Sequence, residues 1–154
     1  MTITHLHAMI IHFPIALLMA GFLSEIIGLF SKNKFYKNAA FYLLLLGALG
    51  AITAYINGSY AGEGMEDGIL ETPMELHEEA ALLSLWLAII AALFYVALYY
   101  FDYQRSWAKW AGMILFTALI ISITRTGYLG GQLVFKHGAG IELALPDFGS
   151  QTAK

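Results

Sequence analysis

The chain is 154 residues long, 59% hydrophobic and only 12% charged, with a mean hydropathy of +0.68. An ordinary soluble domain is about half apolar and about a quarter charged, so the composition excludes that class and reads as an integral membrane protein. The net charge of −3 contains no basic stripe for nucleic acid, and the absence of cysteine excludes a disulfide framework, a thiolate metal site, an iron–sulfur cluster and c-type haem attachment.

Four apolar runs, residues 9–30, 39–57, 74–101 and 107–133, each come near the about 20 residues that cross about 30 Å of hydrocarbon as a helix. They predict an all-α polytopic membrane protein, a four-transmembrane-helix bundle built from two helical hairpins. The first run opens HLHAMIIHFPIALL and places His5, His7 and His12 in its first turns. It lacks a basic region before it and ends in SKNKFYKN, where a signal peptide would need a small-residue cleavage site, so it is expected to be a permanent span.

SKNKFYKN, and the DYQRS that joins the last two runs, are short and make their flanking helices antiparallel neighbours. The middle link, residues 58–73, reads GSYAGEGMEDGILETP, an acidic and glycine-rich loop. At its end Thr72, then Pro73, with Glu75 three residues after Thr72, resembles a helix N-cap with proline in the first turn. The chain closes on the tail 134–154, ending ELALPDFGSQTAK. Most of the tryptophans and tyrosines, Trp86, Tyr95, Tyr99, Tyr100, Tyr103, Trp107 and Trp110, suit the aromatic belts of a membrane protein.

Lys32, Lys34, Lys37, Arg105 and Lys109 fall on one side of such a bundle, against Lys136 and Lys154 on the other. The positive-inside rule then puts the basic turns in the cytoplasm and both termini outside. Nearly all the acid collects on the outer side: Glu63, Glu66, Asp67, Glu71, Glu75, Glu78, Glu79, Glu142 and Asp147.

A short repeat relates the hairpins. His12 opens HFPIALL and His77 opens HEEAALL, and each hairpin returns to a glycine-bearing end, INGSYAG at Gly58 and TRTGYLGG at Gly127. A parallel repeat implies a pseudo-twofold axis along the membrane normal, across which His12 and His77 are expected to face each other. At about 1.5 Å per residue, all five histidines lie on the outer side, with His137 just past the fourth helix and Arg125 about 10 Å below that helix end. Arg125 needs a partner there: an anionic ligand group, an acid from the outer loop, or carbonyls near Gly127, Gly130 and Gly131.

HAMIIHFPIALL, from His7 to Leu18, and GGQLVFKHGAGIEL, from Gly130 to Leu143, together resemble the bacterial inner-membrane family catalogued as domain of unknown function 2231. Its members read like HPxxVHFPIAL near the start and GGxLVYxHGxGV near the end. The resemblance covers most of the chain. It carries over to His7, His12, Pro14, Gly130, Gly131, His137 and Gly138, and by position to His77; Ala8 stands where the family usually has proline, and Phe135 where it has tyrosine. Some relatives look like modules of respiratory or cytochrome-like membrane proteins, so the resemblance implies haem as an expectation.

Three functions are open to these residues. The first is a b-type haem between the hairpins, with His12 and His77 as the axial pair and His7 and His137 as a second pair or as surface assistants. Arg125 would balance a propionate, and Phe13, Trp86, Tyr128 and Gly131 would line the slot. The role would be electron transfer with a membrane quinone or a periplasmic carrier. The second is a transition-metal site for zinc, copper, iron or nickel, drawing on His7, His12, His77 and His137 with a carboxylate such as Glu78. His7 and His12 are five apart, about 140° around a helix, and do not share a face as an i, i+4 pair does. The third is an accessory or anchor subunit of a respiratory-type membrane complex, or a homodimer, docking through the acidic loop and the tail.

No nucleophile or general-base arrangement for hydrolysis is visible, and transport has only Arg125 and Glu25 along a path across the membrane. Structural readings stand beside the functional ones. His5 is a solvated terminal residue, His7 a helix cap or a ligand, and His137 a surface residue before a glycine turn or a ligand. Arg125 staples helix ends or meets a ligand, Pro14 starts a helix, and Glu25 snorkels to the inner interface or pairs with a lysine. Gly47 with Gly50, and Gly127 with Gly131, are close-packing positions.

Overall fold

The computed structural model describes residues 3–31, 33–63, 68–103 and 105–140. Among them the chain is helical throughout, with no strand: α1 (Ile3–Ile10), α2 (His12–Phe30), α3 (Lys34–Gly62), a 3-10 turn (Gly68–Leu70), α4 (Glu71–Tyr100) and α5 (Ser106–His137). Four stretches are long and apolar enough to span a bilayer: Ile3–Phe30, Lys34–Gly62, Gly68–Tyr100 and Ser106–His137. The protein is a multi-pass membrane protein. The tail beyond residue 140, the loop acids Glu66 and Asp67, and Lys32 lie outside the described residues.

Each helix outruns its apolar run, because in a bilayer the backbone polar groups are satisfied within the helix and nothing stops it until a cap residue or a turn intervenes. The first begins at Ile3 rather than Met9, and its break at Ile11 follows from Pro14, which has no N–H to give the Ile10 carbonyl. The ladder resumes on either side, Ile11 N–H donating to the His7 carbonyl at 3.1 Å and Ile15 N–H to that of Ile11 at 3.3 Å. Asn33 caps α3, its side chain accepting from Phe35 N–H at 2.9 Å. Beyond residue 57 the expected loop is still helix as far as Gly62.

Thr72 is not the N-cap of α4. The 3-10 turn brings the chain in already helical, so Leu70 takes that place at φ −88, ψ −15 without a side-chain cap bond. Pro73 sits inside the first turn, where a missing N–H costs nothing. At the other end of the molecule α5 stops at Gly138, φ +68, with Gly138 N–H bonded to the Val134 carbonyl at 3.1 Å and Ala139 N–H to that of Leu133 at 3.0 Å. That is a Schellman cap, which glycine adopts without a Cβ penalty.

The packing is a square. α2 packs on α3, α3 on α4, α4 on α5 and α5 on α2, while α1 lies against α3 above α2. α2 and α4 therefore face each other across the diagonal, as do α3 and α5. The central layer is Leu18, Leu44, Ala48, Ala88, Ala91, Phe116 and Leu119. Phe116 meets Phe22 edge-on at 5.5 Å and Tyr95 at 6.1 Å. Small residues bring the helices together: a Cβ on Gly47 would lie 2.5 Å from Leu18 Cγ, the close approach that drives helix association where lipid removes the hydrophobic gain.

The buried positions reveal the internal repeat in a register other than HFPIALL with HEEAALL. An offset of 70 residues carries Pro14, Leu18 and Gly21 onto Ser84, Ala88 and Ala91. An offset of 72 carries Ala40, Leu44 and Gly47 onto Gly112, Phe116 and Leu119. The equivalent of His77 is thus His7 and not His12. The HxxxALL match misled because two apolar helices agree by composition at many registers, whereas interior positions are limited to one face.

Candidate functional site

His7 stands on α1 and His77 two turns into α4, at equivalent positions of the two hairpins. Both are half-buried, and their rings lie within electrostatic range of each other across the diagonal. Each ring rests on a glycine of the returning helix of its own hairpin. A Cβ on Gly58 would come within 2.8 Å of His7 Cε1, and one on Gly130 within 3.0 Å of His77 Cε1. Gly58 and Gly130 are themselves equivalent under the offset of 72. The two glycines are seats for the imidazoles, and any side chain there would push the rings out.

One turn before each seat lies a carbonyl. His77 Nδ1 is 3.2 Å from the Thr126 carbonyl, which can only accept, so Nδ1 carries the proton and donates. In the neutral ring this leaves the Nε2 lone pair for another partner, the arrangement found in histidines that bind metals through Nε2. The equivalent carbonyl in the first hairpin is that of Ala54, and the His7 ring approaches it. No hydrogen bond of ordinary geometry is closed there: His7 Nδ1 is buried and unpartnered.

The second hairpin adds hydroxyls. Ser84 Oγ donates to the Ala80 carbonyl at 2.9 Å and meets Ser122 Oγ at 2.8 Å and Thr126 Oγ1 at 2.9 Å. Thr126 Oγ1 also reaches the Ser122 carbonyl at 3.0 Å. α4 is thereby cross-linked to α5 directly beneath His77. The same positions in the first hairpin are Pro14, Gly50 and Ala54, an apolar contact in which a Gly50 Cβ would lie 3.1 Å from the Pro14 Cβ.

The other sequence candidates are not gathered here. His12 is exposed and bonded through Nδ1 to the Ala8 carbonyl of its own turn at 2.6 Å, because five residues after His7 the helix has turned it away from the diagonal. The expected facing of His12 and His77 is not found: the histidine in electrostatic range of His77 is His7. His137, the last residue of α5, is exposed, as are His5 and Arg125. Phe13, Trp86 and Tyr128 are exposed on the bundle's outer surface. Among the described residues no three histidine, aspartate or glutamate side chains gather as a metal site. Glu78 is half-buried near Gly62, whose Cβ would lie 3.3 Å from its Oε1.

Sequence reasoning passed over the seats Gly58 and Gly130, the carbonyls of Ala54 and Thr126, and Ser84 with Ser122. The signal that finds them is a heptad-like run of small or polar residues, His77, Ser84, Ala88, Ala91 matched with His7, Pro14, Leu18, Gly21. Eighteen residues past each histidine the pattern places Glu25 and Tyr95, whose side chains also face each other, with Lys37 in electrostatic range of Glu25.

A family model described as a predicted membrane protein, DUF2231, matches residues 4–143. No curated protein matches, and no solved structure does.

Proposed function

Because the chain belongs to the DUF2231 family of predicted membrane proteins, and because its two half-buried histidines converge from opposite hairpins, we propose that it is a b-type haem-binding electron-transfer protein with His7 and His77 as the axial pair. The placement of these two half-buried rings at equivalent positions of the two hairpins, each against a glycine of its returning helix, is the observation that carries the reading. A six-coordinate electron-transfer haem takes two protein ligands, and two imidazoles from opposite hairpins would meet that need without cysteine. An all-protein zinc site asks for three or four, and the described residues bring no third group alongside.

The donor set suits the group. The Thr126 carbonyl holds His77 in the tautomer that offers Nε2, and the seats at Gly58 and Gly130 keep both rings close to α3 and α5. When bound, the iron would carry one electron at a time between ferric and ferrous states. His77, held by the Thr126 carbonyl, would supply one side of the site, and His7 the other. The dry layer of Leu18, Leu44, Phe116 and Leu119 separates this end from the lysine-bearing end of the bundle. On the positive-inside rule the histidine end faces the periplasm of a bacterial inner membrane, with a membrane quinone or a periplasmic carrier as redox partner.

The test is an absorption spectrum of the detergent-purified protein, oxidised and dithionite-reduced. The wild type and His12→Ala should show a Soret band with sharp reduced α and β bands, and His7→Ala and His77→Ala should lose the bis-histidine form. A colourless wild type from haem-replete cells overturns the reading. Elemental analysis of that sample then separates a bound transition metal from an accessory subunit without cofactor.

A further inference from the structure

At the lysine end of the bundle α2 and α5 border a groove. Nearer the centre the two helices meet, Phe22 edge-on to Phe116 at 5.5 Å. Between the last turn of α2 and the first of α5 lies an open space of about 260 Å³, lined by Leu29, Phe30, Ser106, Lys109 and Trp110. A water molecule occupies about 30 Å³ of liquid, so the groove has room for roughly nine atoms of that size, about those of a phosphate with its glycerol. Phe30 and Trp110 are exposed on the outer surface of the bundle, so the groove opens sideways, where lipid lies.

This end of the bundle is positively charged. Among the described residues it carries Lys34, Lys37, Arg105 and Lys109 against Glu25 and Asp102. Lys37 lies in electrostatic range of Glu25, whereas Lys109 has no protein partner among the described residues. The neighbouring tryptophans differ in the same way. Trp107 Nε1 donates to the Tyr103 hydroxyl at 3.0 Å, and no described residue accepts from Trp110 Nε1. Ser106, Lys109 and Trp110 are spaced i, i+3, i+4 and share one face of α5. That face presents a hydroxyl, an ammonium group and an indole N–H beside the apolar Leu29 and Phe30 of α2. Arg105, the N-cap of α5, makes no side-chain cap bond, and the first N–H groups of a helix add positive potential to the same wall.

We propose that this groove seats the head group of an anionic phospholipid. The phosphate lies against Lys109 and Ser106, Trp110 Nε1 donates to a phosphate or ester oxygen, and Leu29 and Phe30 flank the glycerol and the first acyl carbons. An amphipathic ligand of this kind matches a lining that is ionic on one wall and apolar on the other, at the depth where tryptophan marks the head-group layer. A zwitterionic head group brings an ammonium for which the lining holds no carboxylate. The site is separate from the histidine end and needs no cofactor there.

The test uses the full chain, purified in a maltoside detergent and offered dioleoylphosphatidylglycerol and dioleoylphosphatidylcholine, which share their acyl chains. Bound lipid is counted by native mass spectrometry. Wild type should retain the phosphatidylglycerol in preference. Lys109→Gln should lower that retention about fivefold, the worth of one lysine charge near a membrane surface, and Lys109→Arg should keep it. Lys34→Gln removes the same charge from the same end but outside the groove, and should retain lipid as wild type does. Both lysines are exposed, so these variants should fold, as circular dichroism would show. Equal retention of the two lipids by wild type overturns the proposal, because the groove then does not select an anion. An equal loss in Lys34→Gln and Lys109→Gln overturns it as well, because the attraction is then a diffuse surface charge. Displacement of the bound lipid by inorganic phosphate overturns the lipid as occupant and leaves a site for the ion alone.

Discussion

Glu25 of α2 and Tyr95 of α4 face each other across the diagonal at the lysine end of the bundle, as His7 and His77 do at the other. The Tyr95 hydroxyl is buried against Gly112, whose Cβ would lie 3.0 Å from it, and it faces the carboxylate without closing a hydrogen bond of ordinary geometry. Removing a buried hydroxyl that has no partner relieves a desolvation cost rather than losing a bond. Tyr95→Phe is therefore expected to leave stability unchanged or raise it by up to about 1 kcal/mol, read as resistance to unfolding in mixed micelles. A loss of more than that would mean that the hydroxyl bonds to Glu25 in the membrane.

Ser84 is the hub of the hydroxyl cluster below His77. Ser84→Ala leaves Ser122 and Thr126 facing a methyl group, and interhelical polar contacts in membranes are worth roughly 0.6 kcal/mol on average and about 1.7 at most. A destabilisation in that range is expected, read as lowered resistance to unfolding in mixed micelles. Pro14→Ala, at the equivalent position of the first hairpin, should not alter the His77 environment.

The glycine seats give a sharper result. Gly130→Val places a branched side chain where the first added carbon already meets His77 Cε1, and Gly58→Val does the same to His7. On the haem reading, each is expected to abolish a bis-histidine spectrum. Overpacking of this kind costs about 1–3 kcal/mol. Circular dichroism should show the helices intact. Gly127→Val, at a position with open space around it, is the control and on the same reading should give the wild-type spectrum.

In the central layer Gly47→Ala drives a methyl group into Leu18, and both residues are buried. A loss of about 1–3 kcal/mol is expected, recovered in large part by Leu18→Ala in the same chain, because the two changes exchange volume across one contact. Failure of the second change to compensate would show that the α2–α3 spacing is set elsewhere.

The composition, the four apolar runs and the placement of the histidines at one end and most of the lysines at the other were legible in the amino-acid sequence, because a bilayer demands length and apolarity and these are read residue by residue. The motifs HAMIIHFPIALL and GGQLVFKHGAGIEL were legible as well, and they pointed to the family to which the chain belongs. Which histidine faces which was decided by the tertiary structure. Hydrophobic periodicity locates the interior face of a soluble helix, but in lipid both faces are apolar, so His7 and His12 were indistinguishable until packing turned one inward and the other out. The same holds for Gly140. Its close approach to Thr4 exists only because α5 returns its C-terminal turn to the first helix, a relation between residues more than a hundred positions apart that no local pattern records.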